Sequence, residues 1–179
     1  MRRPPRLLVV CVEASPEAHA FRAAAEAWGW DVSVVWAGSK RDATRGLARS
    51  ADHDVLILAC HGDERGLLMP VLAPELVEAL GGPVLTAAEV ADAAPDGVAP
   101  TVLCTACLSG TGAFARAFGA RGARVYLGAP GWPDGDAVTM YALRFLYGRT
   151  RGASDADAAA SAADAAGEPV LIPVVPDDA

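Results

Sequence analysis

Two residues of the sequence are suited to nucleophilic chemistry, and each stands at the end of an apolar run. His61 follows the run at residues 55–60, and Cys107 follows the run at residues 101–106. A cysteine reacts as its thiolate, and a neighbouring imidazole can accept the thiol proton. If the two runs are neighbouring strands, about 4.8 Å apart, the imidazole and the thiol project into one crevice. The sequence therefore predicts a cysteine nucleophile assisted by a histidine.

The residues beside this pair are small, which suits chemistry at a carbonyl group. Gly62 has no side chain to obstruct a substrate, so its N–H and that of Cys107 could form an oxyanion hole. Residues 109–112, Ser-Gly-Thr-Gly, form a turn that opens a predicted helix. Because the positive end of a helix lowers the pKa of a nearby thiol, we expect a lowered pKa for an exposed Cys107.

Apolar runs alternate with helical stretches along the chain, which is typical of βαβ units and a mostly parallel sheet. The predicted strands cover residues 7–13, 31–37, 55–60, 101–106 and 124–129, and the predicted helices cover 16–28, 41–50, 87–94, 112–120, 136–147 and 154–165. Residues 63–82 are interpreted as a loop with a short hairpin or helical turn, and the proline-containing run at 170–175 as an edge strand or extended strap. We therefore predict a single domain over residues 1–179. Its fold class is a three-layer α/β sandwich with a mostly parallel sheet and helices on both faces.

Charge and composition argue against several classes of partner. The chain of 179 residues carries 15 Lys and Arg against 22 Asp and Glu, a net charge of −7. Because this charge repels phosphate backbones, we expect no nucleic-acid partner. No apolar stretch approaches the roughly 20 residues that span a bilayer, so we expect no association with a membrane. The apolar start is interrupted by Glu13 and lacks a clean signal-peptide cleavage site, which favours the cytoplasm.

The four cysteines are arranged neither as a disulfide framework nor as a metal site. Cys11, Cys60, Cys104 and Cys107 each close or follow an apolar run, so we expect free thiols. Cys104 and Cys107 form a lone CxxC pair without the further ligands that a zinc site needs. The sequence therefore predicts no metal site and no cofactor.

The order of the reactive residues separates families of cysteine hydrolases. All three histidines precede Cys107, whereas class I glutamine amidotransferases and papain-like enzymes place the cysteine first. Residues 55–62, an apolar strand ending in His-Gly, and residues 101–110, ending in Ala-Cys-x-Ser-Gly, resemble the caspase-like cysteine peptidases, which include CHAT domains. Residues 115–118, 122–128 and the Asp-Gly-Asp at 134–136 resemble the later elements of CHAT domains. The resemblance covers about residues 55–165, and it implies that the predicted sheet is caspase-like. A flavodoxin-like sheet is the other arrangement that fits the same alternation of strands and helices.

This resemblance implies a cysteine endopeptidase that acts on a protein or peptide substrate through a thioester. His61 would be the general base and acid, Cys107 the nucleophile, and the N–H of Gly62 part of the oxyanion hole. Many relatives work inside a larger protein or beside a partner, so the resemblance also allows a regulatory protein partner.

The resemblance also indicates which residues would recognise the substrate. The end of the first strand helps to line the primary specificity pocket of the family, and Glu13 stands there in this sequence. An acid at that position favours a basic residue before the scissile bond. Asp134 and Asp136 are the alternative acids, although Asp136 could instead cap its helix. Trp132 could line the substrate cleft.

Two other functions fit parts of the sequence. A catalytically silent CHAT-like module would bind a protein partner, and it would be expected to have lost one residue of the His61–Cys107 pair. A flavodoxin-like protein would bind a nucleotide or phosphate with residues 109–112, but the glycine-rich patterns of such sites are absent. Cys107 could also be a buried structural thiol, and His61 a loop histidine bonded to the backbone.

Overall fold

The computed structural model describes residues 3–166 and 170–174, and these residues contain nine strands and seven α-helices. The strands are β1 (Arg6–Cys11), β2 (Asp31–Trp36), β3 (Val55–Ala59), β4 (Gly62–Asp63), β5 (Gly66–Leu68), β6 (Val84–Leu85), β7 (Thr101–Cys104), β8 (Val125–Gly128) and β9 (Ile172–Val174). The helices are α1 (Ser15–Ala27), α2 (Lys40–Leu47), α3 (Pro74–Ala79), α4 (Ala87–Ala93), α5 (Gly112–Gly119), α6 (Gly135–Thr150) and α7 (Asp155–Ala166).

Six strands form the main sheet in the order β2-β1-β3-β7-β8-β9. The first five of these strands are parallel to one another, and β9 pairs antiparallel with β8 at the edge. The mostly parallel sheet and the edge strand are therefore confirmed, although Val175 of the predicted edge strand lies outside the described residues. Since β2 and β3 lie on opposite sides of β1, the strand order reverses there, and crevices form at such points in α/β sheets.

Side chains alternate between two faces of the sheet, and each face is covered by helices. On one face, Val9 and Ile57 pack in a cluster that includes Phe21 of α1 and Phe145 of α6, together with residues of α7. On the other face, Leu56 packs in a cluster with residues of α2, α4 and α5. Because β3 is buried on both faces, its sequence is continuously apolar rather than alternating. The three-layer sandwich is confirmed.

The segment predicted to be irregular contains both of the features considered for it. Residues 62–68 form the β4–β5 hairpin, and residues 74–79 form the short helix α3. β6 adds to the hairpin to make a second, three-stranded antiparallel sheet. This sheet begins directly after His61, so it fixes the direction in which the chain leaves β3. None of the helices in the described part of the chain is long and apolar enough to cross a membrane.

Candidate active site

His61 and Cys107 leave neighbouring strands at the same edge of the sheet. β3 pairs in parallel with β7, and Thr105 continues this pairing beyond the strands. The N–H and hydroxyl of Thr105 both donate to the Leu58 carbonyl oxygen, at 3.0 and 3.2 Å. The same hydroxyl oxygen accepts the Cys60 N–H at 3.3 Å. Thr105 therefore ties the residue before His61 to the segment that leads to Cys107.

Replacing Thr105 with valine tests this connection, because valine keeps the shape and removes the hydroxyl. The buried N–H of Cys60 would lose its acceptor, so we expect the free energy of unfolding to fall by about 1–3 kcal/mol in chemical denaturation. The matched control is Thr44→Val, since the Thr44 hydroxyl donates only to the Arg41 carbonyl on an exposed helix turn. Equal stability of the two variants would show that the Thr105 hydroxyl does not hold the strands together.

Gly62 brings the backbone after His61 into contact with the turn that carries Cys107. A Cβ atom at Gly62 would lie 2.5 Å from the Cys107 carbonyl oxygen and 3.0 Å from the Ala106 Cβ, so only glycine fits without a shift. The Leu68 N–H donates to the His61 carbonyl at 3.0 Å. Since alternate residues of an antiparallel strand direct their polar groups to opposite sides, the Gly62 N–H points away from β5.

The turn after Cys107 is held by hydrogen bonds to the ends of β7 and β8. The Ser109 hydroxyl donates to the Cys104 carbonyl at 3.2 Å and accepts the Ala129 N–H at 3.1 Å. The Gly110 N–H donates to the Ala129 carbonyl at 2.7 Å, and a Cβ at Gly110 would lie 2.8 Å from the Ala129 carbonyl carbon. Because these groups bond within the protein, they are poorly placed to bind an anion at residues 109–112.

Leu108, directly after Cys107, has a left-handed backbone conformation with φ of 56°. This region is unfavourable for a leucine and persists only where the surroundings impose it. Here the Leu108 N–H donates to the Gly131 carbonyl at 2.9 Å. The chain therefore turns sharply at Leu108 and leaves the Cys107 side chain half-buried.

His61 and Cys107 line one cleft of about 160 Å³ at the carboxyl ends of the parallel strands. The residues that line it are Ala14, Glu17, Cys60, His61, Thr105, Cys107, Pro133, Gly135, Val138 and Thr139. They come from the segments that follow β1, β3, β7 and β8 and from helices α1 and α6. The cleft thus lies where the strand order reverses, the usual position for a ligand in an open α/β sheet.

The Cys107 thiol does not have the lowered pKa expected from the sequence. Burial raises the pKa of Cys107 above its ordinary value of 9.0, and the residue's own backbone N–H offsets this only in part. The expectation was wrong because burial is the largest effect on this thiol, although α5 begins at Gly112 as the sequence predicted. Burial therefore favours the neutral thiol of Cys107 over the thiolate.

Neither a family model nor a curated protein matches the sequence. Among solved structures, the chain is similar to the X-ray structure of a secreted C11 cysteine protease from Bacteroides thetaiotaomicron in complex with an irreversible peptide inhibitor. The TM-score is 0.56 and the sequence identity is 15%, over 91% of this chain and 58% of that chain. The fold is caspase-like. Because the match covers 58% of the protease chain, this chain spans less than two thirds of the length of that protease.

The caspase-like sheet does not bring the predicted specificity residues into the cleft with His61. Glu13 is exposed and has a φ of 60°, which turns the chain before α1. Asp134 caps α6 and accepts the N–H groups of Asp136 and Ala137 at 3.0 and 3.2 Å. Asp136 is exposed in the first turn of that helix, and the exposed fraction of Trp132 is 64%. None of these four predicted residues lines the cleft.

An acid that the sequence analysis missed lies in the cleft of this caspase-like structure. Glu17, in the first turn of α1, lines the cleft, and its Oε2 is buried without a hydrogen-bond partner among the described residues. A signal for this position was available, because Glu17 lies four residues before Phe21 and eight before Ala25. Both of those residues are completely buried, so helical spacing places Glu17 at the edge of the buried face.

Proposed function

We propose that this chain is a CHAT-type cysteine endopeptidase in which His61 and Cys107 form the catalytic dyad. The observation that carries the proposal is that both side chains line one cleft at the carboxyl ends of adjacent parallel strands. The caspase-like fold, shared with a cysteine protease, supports it. The substrate would be a protein or peptide with a basic residue before the scissile bond, as the sequence resemblance implies.

In the proposed reaction, His61 accepts the proton of the Cys107 thiol, and the thiolate attacks the carbonyl carbon of the scissile peptide bond. The negative charge that develops on the carbonyl oxygen would be stabilised by the N–H groups of Gly62 and Cys107. When the tetrahedral intermediate collapses, the C–N bond breaks and His61 gives its proton to the leaving amine. A thioester remains on Cys107.

Hydrolysis of the thioester completes the cycle. His61 accepts a proton from a water molecule as the water attacks the thioester carbonyl carbon. The C–S bond then breaks, the new carboxyl group leaves, and the sulfur of Cys107 regains the proton from His61. The raised pKa of Cys107 supports a resting thiol and not a preformed ion pair, so the proton would move to His61 as the substrate is attacked.

A catalytically silent module that binds a protein partner is the alternative. The raised pKa of Cys107 favours it, because a buried thiol without an activating partner would titrate in the same direction.

We place the protein in the cytoplasm, where free thiols persist, because all four cysteines are unpaired. In that compartment a regulatory protein partner could act on either the enzyme or the silent module.

Labelling with arginyl and lysyl acyloxymethyl ketones tests the proposed function. We expect covalent attachment to the wild type at Cys107, located by mass spectrometry of proteolytic fragments, and no attachment to Cys107→Ala. Cys11→Ala is the matched control, because Cys11 is buried on β1 and does not line the cleft, so this variant should label normally. If a panel of peptidyl probes leaves Cys107 unlabelled in the folded protein, the binding module is the better explanation.

A further inference from the structure

The carboxylate of Glu17 is the feature of the cleft that the proposed reaction leaves unexplained. Its Oε2 is buried and has no hydrogen-bond partner among the described residues. The residue as a whole is half-buried, but a buried polar atom is normally compensated by a cation or a hydrogen-bond donor. An unpaired buried polar atom in a cleft often forms its hydrogen bond with a bound ligand. The lack of a partner for Oε2 therefore points to a ligand that binds Glu17.

The protein supplies no cation for Glu17 from within the described chain. None of the residues that line the cleft is a lysine or arginine. Arg22, the basic residue of α1, is engaged with Glu26 at 2.8 Å one helical turn further along. The only other group in the cleft that can carry a positive charge is the imidazole of His61. Among the residues that line the cleft, only His61 could supply a cation for Glu17, and the other source is the substrate.

The position of Glu17 favours the substrate. Glu17 belongs to α1, whereas His61 and Cys107 follow β3 and β7. The acid therefore lines a part of the cleft that is separate from the two strands leading to the proposed dyad. No hydrogen bond joins Glu17 to His61 in the described chain, and His61 itself is exposed to solvent. Water can therefore stabilise the charge of the imidazole, but the buried Oε2 of Glu17 has no comparable access.

We infer that Glu17, and not Glu13, is the specificity-determining residue of the cleft, and that its carboxylate binds the cationic side chain of an arginine or lysine before the scissile bond. This inference rests on the proposed function, because it needs Cys107 to attack the carbonyl next to that side chain. A guanidinium or ammonium group would supply the hydrogen bonds that Oε2 lacks. Glu13 is exposed outside the cleft and would have no part in recognition.

The sharpest test compares two acyloxymethyl ketone probes that differ only in charge, with arginine or its neutral isostere citrulline at the recognised position. The measured quantity is the second-order rate constant for labelling Cys107. In the wild type we expect the arginyl probe to react on the order of 100-fold faster, as a charged hydrogen-bonded pair would give. In Glu17→Gln, which keeps the shape and removes the charge, the arginyl-to-citrullinyl ratio should approach one.

Glu26→Gln and Glu13→Gln are the matched controls and should keep the ratio of the wild type. Glu26 lies on the same helix and pairs with Arg22, so its loss removes an equal charge outside the cleft. Thermal unfolding provides a second readout for Glu17→Gln. Because Oε2 has no hydrogen-bond partner among the described residues, replacing the carboxylate with an amide removes no hydrogen bond of that atom, and the melting temperature should stay close to that of the wild type.

The possible outcomes separate the inference from the proposed function. A ratio near one in the wild type, or an unchanged ratio in Glu17→Gln, would overturn the role of Glu17 while Cys107 labelling still supports a peptidase. If the ratio stays unchanged because both rates fall equally, Glu17 acts by positioning the reacting groups and not by recognising charge, and the inference is overturned in the same way. Absence of Cys107 labelling by every probe would remove the proposed function and the inference with it.

Discussion

His61→Ala is expected to slow labelling of Cys107 by an arginyl acyloxymethyl ketone about 100-fold or more at pH 7. The reason lies in the thiol, whose pKa burial raises above 9.0. Without a base, the reaction depends on the thiolate present at equilibrium, which the raised pKa of Cys107 makes a small fraction of the protein at pH 7. With His61 in place, the proton can pass to the imidazole as the sulfur attacks, so the wild type does not depend on that small fraction.

The same variant should recover as the pH rises. Ionisation of Cys107 increases the thiolate about tenfold per pH unit until the pH reaches the thiol pKa. The labelling rate of His61→Ala should therefore climb steeply through the alkaline range, whereas the rate of the wild type should already be high near neutrality. Labelling rates measured from pH 6 to the onset of alkaline unfolding test this difference. A flat profile for His61→Ala would contradict a raised pKa for Cys107.

His19→Ala is the control for this experiment. His19 is an exposed imidazole on α1 that packs against Trp36, with ring centroids 4.8 Å apart and ring planes tilted by 42°, and it does not line the cleft. Its removal should leave both the rate at pH 7 and the pH profile unchanged. If His61→Ala labels as fast as His19→Ala at pH 7, the imidazole of His61 has no role in activating the thiol.

The relative position of His61 and Cys107 could be predicted because it follows from regular structure. Continuous apolar runs predict strands covered on both faces, and alternation with helices predicts a parallel sheet, in which strand ends gather at one edge. His61 and Cys107 each stand directly after such a run, so their placement required only that β3 and β7 be neighbours, as they are. The contact between Gly62 and Cys107 completes this arrangement.

The features that could not be predicted depend on irregular turns. Glu13 was expected to face the pocket because it follows β1, but its left-handed conformation lets α1 begin at Ser15 and brings Glu17 into the cleft instead. The pKa of Cys107 was expected to be low because α5 follows it closely in sequence. Burial is instead the largest effect on this thiol. The backbone dihedral angle of a single non-glycine residue decides the first outcome and the burial of one side chain in an irregular turn decides the second, and sequence periodicity carries no information on either.

Gly62→Ala is expected to lower the labelling rate of Cys107 on the order of 100-fold while the protein still folds. The added Cβ would lie 2.5 Å from the Cys107 carbonyl oxygen, so one of the two backbone segments must move. A displacement of about 1 Å at a reacting group is sufficient for a loss of that size. The strain should also lower the free energy of unfolding by about 1–3 kcal/mol. Labelling rates and denaturant unfolding of the same variant measure both effects.

Gly131→Ala is the matched control, because a Cβ at Gly131 would meet no atom within 4 Å, although its carbonyl accepts the Leu108 N–H in the same turn. There the alanine restricts the unfolded chain without a clash, so stability should be unchanged or slightly increased and labelling should be preserved. The contrast between the two alanines isolates the close approach of Gly62 to Cys107 from any general effect of replacing glycine. If Gly62→Ala labels like Gly131→Ala, the two segments can separate without consequence, and an oxyanion hole that needs both N–H groups at fixed positions is untenable.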